Sequence, residues 1–174
     1  KSCFYLHGGV GVGKTMILNF FYDFLYIPKT RLHFNEFMIN FHNYRYKMKN
    51  QDNSLFGFVK SLKKYQIIYL DEFQVTNIVD AMILGKLFET ILNENIKIIL
   101  TSNTKIDDLY RDGLQREQFL PFITIIKENS IQVELNLEDD YRKLGSSKLK
   151  RNFYPINKKN KFKINKIFRE LTKD

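Results

Sequence analysis

The feature that most constrains this chain is a glycine-rich run, GGVGVGKT, at residues 8–15. An apolar segment, CFYLH, precedes the run, and apolar residues at helical spacing follow it as far as residue 26. This order of strand, glycine-rich loop and helix lets backbone N–H groups converge on phosphate oxygens at the positive end of the helix. A glycine-rich turn before an amphipathic helix is the alternative, but it gives no reason for the strand in front. The run therefore predicts a phosphate-binding P-loop.

The loop residues have separate predicted roles in binding a nucleoside triphosphate. The Lys14 ammonium is expected to reach the β- and γ-phosphates, and the Thr15 hydroxyl is expected to bind magnesium. Phosphate oxygens and water would complete the magnesium shell. The predicted cofactors are ATP and Mg²⁺, and the predicted nucleotide-binding residues are Gly8, Gly9, Val10, Gly11, Val12, Gly13, Lys14 and Thr15.

Two acidic residues end a second apolar run. Residues 67–70 are continuously apolar, as expected for a strand buried on both faces of a parallel sheet, and Asp71 and Glu72 follow directly. Asp71 is predicted to hold magnesium through water, and Glu72 is predicted to polarise the attacking water. An exposed pair of turn residues is the alternative, but the P-loop upstream favours a nucleotide site. Together with Lys14, the acidic pair predicts ATP hydrolysis.

A third apolar run, residues 97–101, leads through Ser102 to Asn103. An amide at this strand end is suited to orient the attacking water or contact the γ-phosphate, and also to cap the helix that follows. Arg111 and Arg116 lie on or near that predicted helix. Each is either an arginine finger for the ATP of a neighbouring subunit or a surface arginine, and spacing alone favours the surface.

Apolar runs alternate with segments of helical periodicity along much of the chain. Strands are predicted at residues 3–7, 31–35, 67–70, 97–101 and 122–126, and helices at residues 14–26, 36–49, 78–92 and 106–119. This alternation indicates an α/β fold in which helices flank both faces of a parallel five-stranded sheet. In such a sheet the ligand lies outside the carboxyl ends of the strands, where the P-loop, the acidic pair and Asn103 all stand.

The charged residues divide the chain into two parts. Residues 1–141 carry 16 Lys and Arg against 17 Asp and Glu, whereas residues 142–174 carry 12 against 2. We therefore expect a nucleotide-binding core at residues 1–141 and a basic C-terminal segment at residues 142–174. A basic segment suits nucleic acid, anionic lipid or an acidic protein face, and equally a solvated surface. Tyr44 and Tyr46, among basic residues, are candidates for stacking on bases, although core packing is favoured for them.

Cysteine usage and hydropathy bear on the compartment. The one cysteine, Cys3, is expected to be a buried strand residue, which favours a reducing intracellular compartment. No apolar stretch approaches the ~20 residues that span a bilayer, so an integral membrane protein is not expected. Because the chain lacks an initiating methionine and enters a strand at once, we expect a fragment whose N-terminal region is missing.

Three stretches carry a resemblance to a known family. They are HFNEFM at residues 33–38, LDEFQVTNIVDAMIL at residues 70–84 and TSNTKIDDLYRDGLQREQFLPFI at residues 101–123. Shorter matches are DYR at residues 140–142 and FYPIN at residues 153–157. These stretches resemble the AAA+ ATPases that include the bacterial cell-division protein ZapE and its mitochondrial relatives, the "ATPase family gene one-like" proteins. The similarity covers nearly the whole chain.

The resemblance implies roles for residues and for the whole protein. It implies Lys14 and Thr15 as Walker A, Asp71 and Glu72 as Walker B, Asn103 as sensor 1, and Arg116 in preference to Arg111 as arginine finger. The family implies an AAA+ ATPase that assembles with copies of itself on binding ATP and acts on protein partners. These partners would be the division apparatus in bacteria, or membrane-complex subunits under turnover in mitochondria. The location would be the cytoplasm in a bacterium and the mitochondrial matrix in a eukaryote.

The sequence departs from the family pattern in three places. Asn77 stands where an acid usually follows QVT, and Asn35 stands where a histidine is common. Family members continue further, so residues 142–174 are expected to begin a lid that is incomplete. Two other functions stay open: a helicase-loader-like ATPase that binds nucleic acid, and an ATP-gated interaction module with negligible turnover. DEFQVT and GLQREQFLPFI favour protein partners over nucleic acid, and the intact P-loop lysine and acidic pair favour turnover.

Overall fold

The computed structural model describes residues 1–49 and 53–136, which form an α/β unit. In chain order the elements are β1 (Cys3–Gly8), α1 (Lys14–Phe24), β2 (Lys29–His33), α2 (Phe34–Lys47), α3 (Ser54–Leu62), β3 (Ile67–Asp71), α4 (Ile78–Asn93), β4 (Lys97–Ser102), α5 (Leu120–Asn129) and β5 (Ser130–Leu135). Two 3-10 turns, Ile106–Asp108 and Arg116–Gln118, stand between β4 and α5. The described residues contain no helix long and apolar enough to cross a bilayer. The predicted basic segment and lid, residues 142–174, lie outside the described residues.

All five strands are parallel, in the order β2-β3-β4-β1-β5. The predicted α/β fold with a parallel five-stranded sheet is therefore confirmed. The register places Leu6 beside Thr101 and Leu70 beside Leu100, so β1, β3 and β4 end at the same edge of the sheet. This edge carries the P-loop, the acidic pair and Asn103, as expected for a parallel sheet.

Helices cover both faces of the sheet, and β3 shows how the sequence provides for this. Ile68 and Leu70 belong to the large core formed with α2, α3, α4 and α5. Ile67 and Tyr69 instead pack with Leu18 of α1 on the opposite face. Because successive strand residues point to opposite faces, a strand covered on both faces is apolar throughout.

The predicted helix at residues 106–119 is wrong. Positive φ angles at Tyr110 (52°) and Gln115 (53°) interrupt the segment, so that only the two 3-10 turns form. This left-handed region is unfavourable for residues with a side chain, and α-helix cannot continue through it. Gly113 lies between these two residues, and the Tyr110 ring occupies the space that a Cβ on Gly113 would need. Packing of the ring against this glycine therefore overrides the helical spacing of the apolar residues.

The predicted strand at residues 122–126 is also wrong, because these residues lie in α5. Three members of the run face the core with helical spacing, and they are Phe122, Ile123 and Ile126. Pro121 stands in the first turn of the helix, where its missing N–H has no intrahelical partner to lose. The fifth strand follows α5 as β5 and pairs with β1.

The bounds of β2 and α2 differ less from the predicted ones. β2 begins two residues earlier than predicted, at Lys29, and α2 begins at Phe34. The helix α3 has no counterpart among the predicted elements. Its buried apolar residues repeat at the spacing of an amphipathic helix, and they are Leu55, Phe58, Val59 and Leu62. That spacing is the signal by which α3 is recognisable in the sequence.

Cys3 is a buried residue of β1, as predicted. Burial raises the pKa of its thiol to about 12, so the thiol stays protonated at neutral pH. A protonated and buried thiol is not a nucleophile. Cys3 therefore contributes packing to the core and no chemistry.

Asn77 caps α4, and the same contacts extend to α2. Its side-chain oxygen accepts a hydrogen bond from the Asp80 N–H (2.8 Å), and its amide nitrogen donates to Asp80 Oδ2 (2.6 Å). The other carboxylate oxygen of Asp80 lies 2.6 Å from Nε2 of His42 on α2. An acid at position 77 would place a second carboxylate beside Asp80, so the amide at this position suits its neighbours.

Candidate nucleotide-binding site

Gly13 forms the N-cap of α1 and turns the chain from the loop into the helix. Its φ of 92° lies in the left-handed region, which glycine adopts at little cost. No side chain caps this helix, and no acidic residue stands in its first turn. The first N–H groups of α1 therefore have no side-chain acceptor, and their positive partial charge is available to an anion.

Lys14, the first residue of α1, folds back onto the loop. Its Nζ donates hydrogen bonds to the carbonyl oxygens of Gly8 (2.8 Å) and Gly9 (2.6 Å). Burial lowers the pKa of Lys14, while the negative charge of Asp71 acts in the opposite direction. The ammonium thus stands at the loop within the field of Asp71, where phosphate oxygens would replace the carbonyls as acceptors.

Gly8 has a structural requirement of its own at the end of β1. A Cβ on Gly8 would overlap the carbonyl oxygen of Leu135, the last residue of the neighbouring strand β5. Any other residue would push these two strand ends apart. Gly8 is therefore needed for β1 and β5 to pair at this end of the sheet, in addition to its predicted part in phosphate binding.

Asp71 ends β3 with its carboxylate almost fully buried. Oδ1 accepts hydrogen bonds from the Thr101 hydroxyl and from the Glu72 N–H (3.2 Å), and Oδ2 lies 2.6 Å from Nη2 of Arg31. Burial alone would raise the pKa of this carboxyl. The hydrogen bonds from Thr101 and Arg31, the Arg31 charge and the Glu72 N–H outweigh burial and hold the pKa of Asp71 below its ordinary value. Asp71 is therefore an anion at neutral pH.

Glu72 leaves the sheet in a strained conformation. Its φ is 54°, in the left-handed region that costs a residue with a side chain about 1 kcal/mol or more. The Glu72 N–H points back at the Thr101 hydroxyl (3.1 Å), and this turn directs the carboxylate away from the sheet into solvent. Glu72 Oε2 lies 3.7 Å from Nδ1 of His33. Backbone strain at a strand end with an exposed carboxylate is typical of a functional position.

Two open clefts meet at Glu72. The first, of about 390 Å³, is lined by Thr15, Tyr22, Arg31, Leu32, His33, Glu36, Asp71 and Glu72. The second, of about 300 Å³, is lined by Asn35, Glu72, Phe73, Gln74, Thr76, Ser102, Asn103 and Thr104. The first cleft thus brings together the three predicted residues that bind magnesium or activate water. Asn103 shares the second cleft with Glu72.

The structure also decides between two interpretations of Asn103. The segment after it begins with the 3-10 turn Ile106–Asp108, whose N-cap position is held by Lys105 without a side-chain hydrogen bond. The interpretation of Asn103 as a helix cap is therefore wrong. Asn103 is exposed at the carboxyl end of β4. An amide in this position faces the cleft of the Glu72 carboxylate, and its predicted sensor role stays a prediction.

The two candidate arginines lie outside both clefts. Arg116 donates from Nη2 to the carbonyl oxygen of Asp107 (2.6 Å), and its buried Nε has no hydrogen-bond partner among the described residues. Arg111 is exposed, with Nη1 3.6 Å from Asp108 Oδ1. The positions of both arginines within one chain do not test a contact with the ATP of a neighbouring subunit. The preference for Arg116 as a finger therefore stays a prediction.

Sequence reasoning missed Arg31, His33 and Thr101 as residues of the site. Arg31 and Thr101 hold the Asp71 carboxylate, and His33 lies beside Glu72. All three stand on the strands that flank β3, so their role depends on strand order. The signal available in the sequence is a polar or charged residue inside a predicted strand, which is costly unless it has a partner.

The donor set fits ATP and Mg²⁺. Among residues 1–49 and 53–136, no group of three or more His, Cys, Asp and Glu side chains could hold a metal ion by itself. Thr15 and Asp71 supply a hydroxyl and a carboxylate on the same cleft, which are hard oxygen ligands. Mg²⁺ is usually bound by one or two such groups together with phosphate oxygens and water. Thr15 and Asp71 are therefore the residues that would hold it.

The sequence model of the AFG1-like ATPase family matches residues 1–174. The chain belongs to the AFG1-like ATPase family. It is 39% identical over 142 residues to the cell division protein ZapE of Escherichia coli strain K12, covering 79% of this chain and 37% of ZapE. It is 37% identical over 152 residues to lactation elevated protein 1 homolog B of Danio rerio, covering 80% and 30%. This AFG1-like chain thus spans about a third of the length of these two relatives.

Solved structures share the fold of this AFG1-like chain. The crystal structure of DnaI matches with a TM-score of 0.60 and 21% identity over 80% of this chain and 72% of DnaI. DnaA bound to AMPPCP and single-stranded DNA matches with a TM-score of 0.57 and 23% identity, over 91% of this chain and 48% of DnaA. At this identity the likeness establishes the fold and nothing about substrate.

Proposed function

We propose that this chain binds ATP with Mg²⁺ and hydrolyses it to ADP and phosphate. The observation that carries the proposal is the meeting of Thr15, Asp71 and Glu72 on one cleft, at the sheet edge from which the P-loop also leaves. Membership of a family of ATPases supports the same reaction. Magnesium, when bound, would neutralise phosphate charge in the transition state.

Each residue has a task that follows from its position. Lys14 exchanges its loop carbonyls for β- and γ-phosphate oxygens, and the N–H groups of the loop and of the first turn of α1 bind the same phosphates. Thr15 and Asp71 offer oxygen ligands. Glu72, exposed and turned out of the sheet, orients the attacking water and accepts its proton. Asn103 shares the second cleft with Glu72, and in this proposal its amide fixes the same water.

The test of nucleotide binding is Lys14→Ala. We expect it to weaken ATP binding by roughly 10- to 100-fold, because the variant loses a charge-assisted hydrogen bond to each of two phosphates. Equilibrium titration with a fluorescent ATP analogue in the presence of magnesium measures the change. Lys60→Ala is the matched control, since Lys60 is an exposed residue of α3 that lines neither cleft. Equal affinity in Lys14→Ala and wild type would contradict the proposed P-loop.

We further propose that the protein works as an ATP-assembled oligomer on protein partners. The support is the family and the relative ZapE, which is named as a cell division protein. The compartment proposed is the cytoplasm for a bacterial source and the mitochondrial matrix for a eukaryotic one. Analytical ultracentrifugation is expected to show a shift to larger species when ATP is added. A chain that stays monomeric with ATP bound, at concentrations well above those in cells, would contradict assembly.

The basic segment at residues 142–174 favours a second candidate, a helicase-loader-like ATPase that binds nucleic acid. The aromatic pair on α2 gives it little support, because Tyr44 packs on Phe58 at a centroid distance of 5.7 Å while Tyr46 points to solvent. The two rings therefore do not form one stacking surface. Affinity for a labelled single-stranded oligonucleotide that falls steeply between ~50 and ~200 mM salt would favour this candidate. No binding at the lower concentration would remove it.

A further inference from the structure

Arg31 occupies one of the two carboxylate oxygens of Asp71, a residue that lines the first cleft. Its Nη2 lies 2.6 Å from Asp71 Oδ2, with the two side chains 25% and 6% exposed. The other guanidinium nitrogen, Nη1, donates to Oδ1 of Asn19 on α1. Arg31 is therefore a cation held in the cleft that Thr15 also lines, between the sheet and α1.

We propose that Arg31 and Mg²⁺ compete for Asp71, so that Arg31 holds the carboxylate in the metal-free site and releases Oδ2 when the metal binds. The inference rests on the proposed binding of ATP with Mg²⁺. Arg31 is then a positioning residue that sets the metal affinity of the site. It contacts Asp71 and need not contact the reacting atoms.

The competition follows from how the two oxygens of Asp71 are used. Oδ1 already accepts hydrogen bonds from the Thr101 hydroxyl and the Glu72 N–H. Oδ2 is the oxygen left for a metal ion or its water, and Arg31 occupies it. A guanidinium and a divalent cation on the same oxygen would also repel each other strongly in this half-buried cleft.

The pair also explains how Asp71 tolerates burial without a metal. A buried carboxylate needs a charged or hydrogen-bonding partner, and Arg31 provides the only guanidinium that contacts it among the described residues. The partner is able to move, because Arg31 is partly exposed and Asn19 is an exposed residue. A cleft of about 390 Å³ adjoins it. The guanidinium can thus leave Oδ2 without entering the core.

A purely structural role predicts different behaviour. β2 is already joined to β3 by backbone hydrogen bonds, with Arg31 beside Tyr69 in the register. If the ion pair only fastened these strands, its removal would lower stability and leave the metal affinity of the nucleotide complex unchanged. If Arg31 competes with the metal, its removal raises that affinity.

The experiment measures metal binding without turnover. Mn²⁺, standing in for Mg²⁺, is titrated into the chain held in excess over a non-hydrolysable ATP analogue, and free Mn²⁺ is read from its electron paramagnetic resonance spectrum. We expect Arg31→Gln to bind Mn²⁺ about tenfold more tightly than wild type, since one charge-assisted hydrogen bond no longer has to be broken. Asn19→Ala, which loosens the guanidinium without removing it, is expected to change the affinity in the same direction by a smaller factor.

Arg45→Gln is the matched control, because Arg45 lies on α2 over the Phe41 ring and outside the cleft. Unchanged or weaker Mn²⁺ binding by folded Arg31→Gln overturns the competition and leaves the proposed function standing. If Arg31→Gln does not fold, unchanged Mn²⁺ binding by Asn19→Ala overturns it. A wild-type chain that binds no nucleotide at any metal concentration overturns the proposed function together with this inference.

Discussion

Glu72→Gln is expected to lower kcat for ATP hydrolysis by at least ~100-fold while changing ATP affinity by less than about threefold. A positioned general base contributes typically 10²–10⁴ in rate, and an amide cannot accept the proton of the attacking water. The glutamine has the same length, and the backbone bond from residue 72 to the Thr101 hydroxyl is retained. Steady-state phosphate release and equilibrium binding of a fluorescent ATP analogue measure the two quantities.

Glu89→Gln is the control for removing one negative charge, because Glu89 is an exposed residue of α4 away from both clefts. It is expected to hydrolyse ATP at the wild-type rate. Tight nucleotide binding with equally negligible turnover in wild type and Glu72→Gln would support the ATP-gated interaction module instead. A wild-type rate in Glu72→Gln would contradict the role of Glu72 directly.

The parts of the site that could be predicted from the sequence are those that local pattern determines. The P-loop lies between a short buried strand and a helix, and the acidic pair follows a strand that is apolar on both faces. Each of these is a continuous segment, and its order of strand, loop and helix is common in one type of fold, the parallel α/β sheet. Parallel strands then bring the separate segments to one edge, so Thr15, Asp71 and Glu72 could be expected to meet.

The contacts that hold Asp71 could not be predicted in the same way. Arg31 and Thr101 come from β2 and β4, and both contacts require β3 to lie between these strands in the sheet. Strand order depends on packing over the whole core, which no local pattern reports. The resemblance to a family implied roles for residues of the nucleotide-binding motifs, but it implied none for Arg31 or Thr101.

The errors before β5 have a different physical cause. Residues 122–126, FITII, form a short apolar run rich in β-branched residues, which suits a buried strand as well as a buried helix. The proline at position 121 and the polar residues after the run were the available arguments for a helix. Tertiary packing decides, because α5 places three of the five side chains on the aromatic core.

Phe122→Ala is expected to lower the free energy of unfolding by about 3–5 kcal/mol, the usual cost of truncating a fully buried phenylalanine. The Phe122 ring stacks on Phe119 at a centroid distance of 5.0 Å and on Phe73 at 5.6 Å, and meets Phe88 edge-on at 5.1 Å. Its loss would leave a cavity beneath Phe73, the residue that follows Glu72. Urea denaturation followed by circular dichroism measures the change.

The burial of two residues close to Phe122 distinguishes a helix from a strand at residues 122–126. In a strand, alternation would bury Thr124 on the same face as Phe122 and turn Ile123 to the other face. In α5, Ile123 is buried, whereas Thr124 is exposed and its hydroxyl donates to the Leu120 carbonyl oxygen. Ile123→Ala is therefore expected to cost about 2–4 kcal/mol, and Thr124→Ala about 0.5 kcal/mol or less. The reverse ranking would contradict the helical placement of these two side chains.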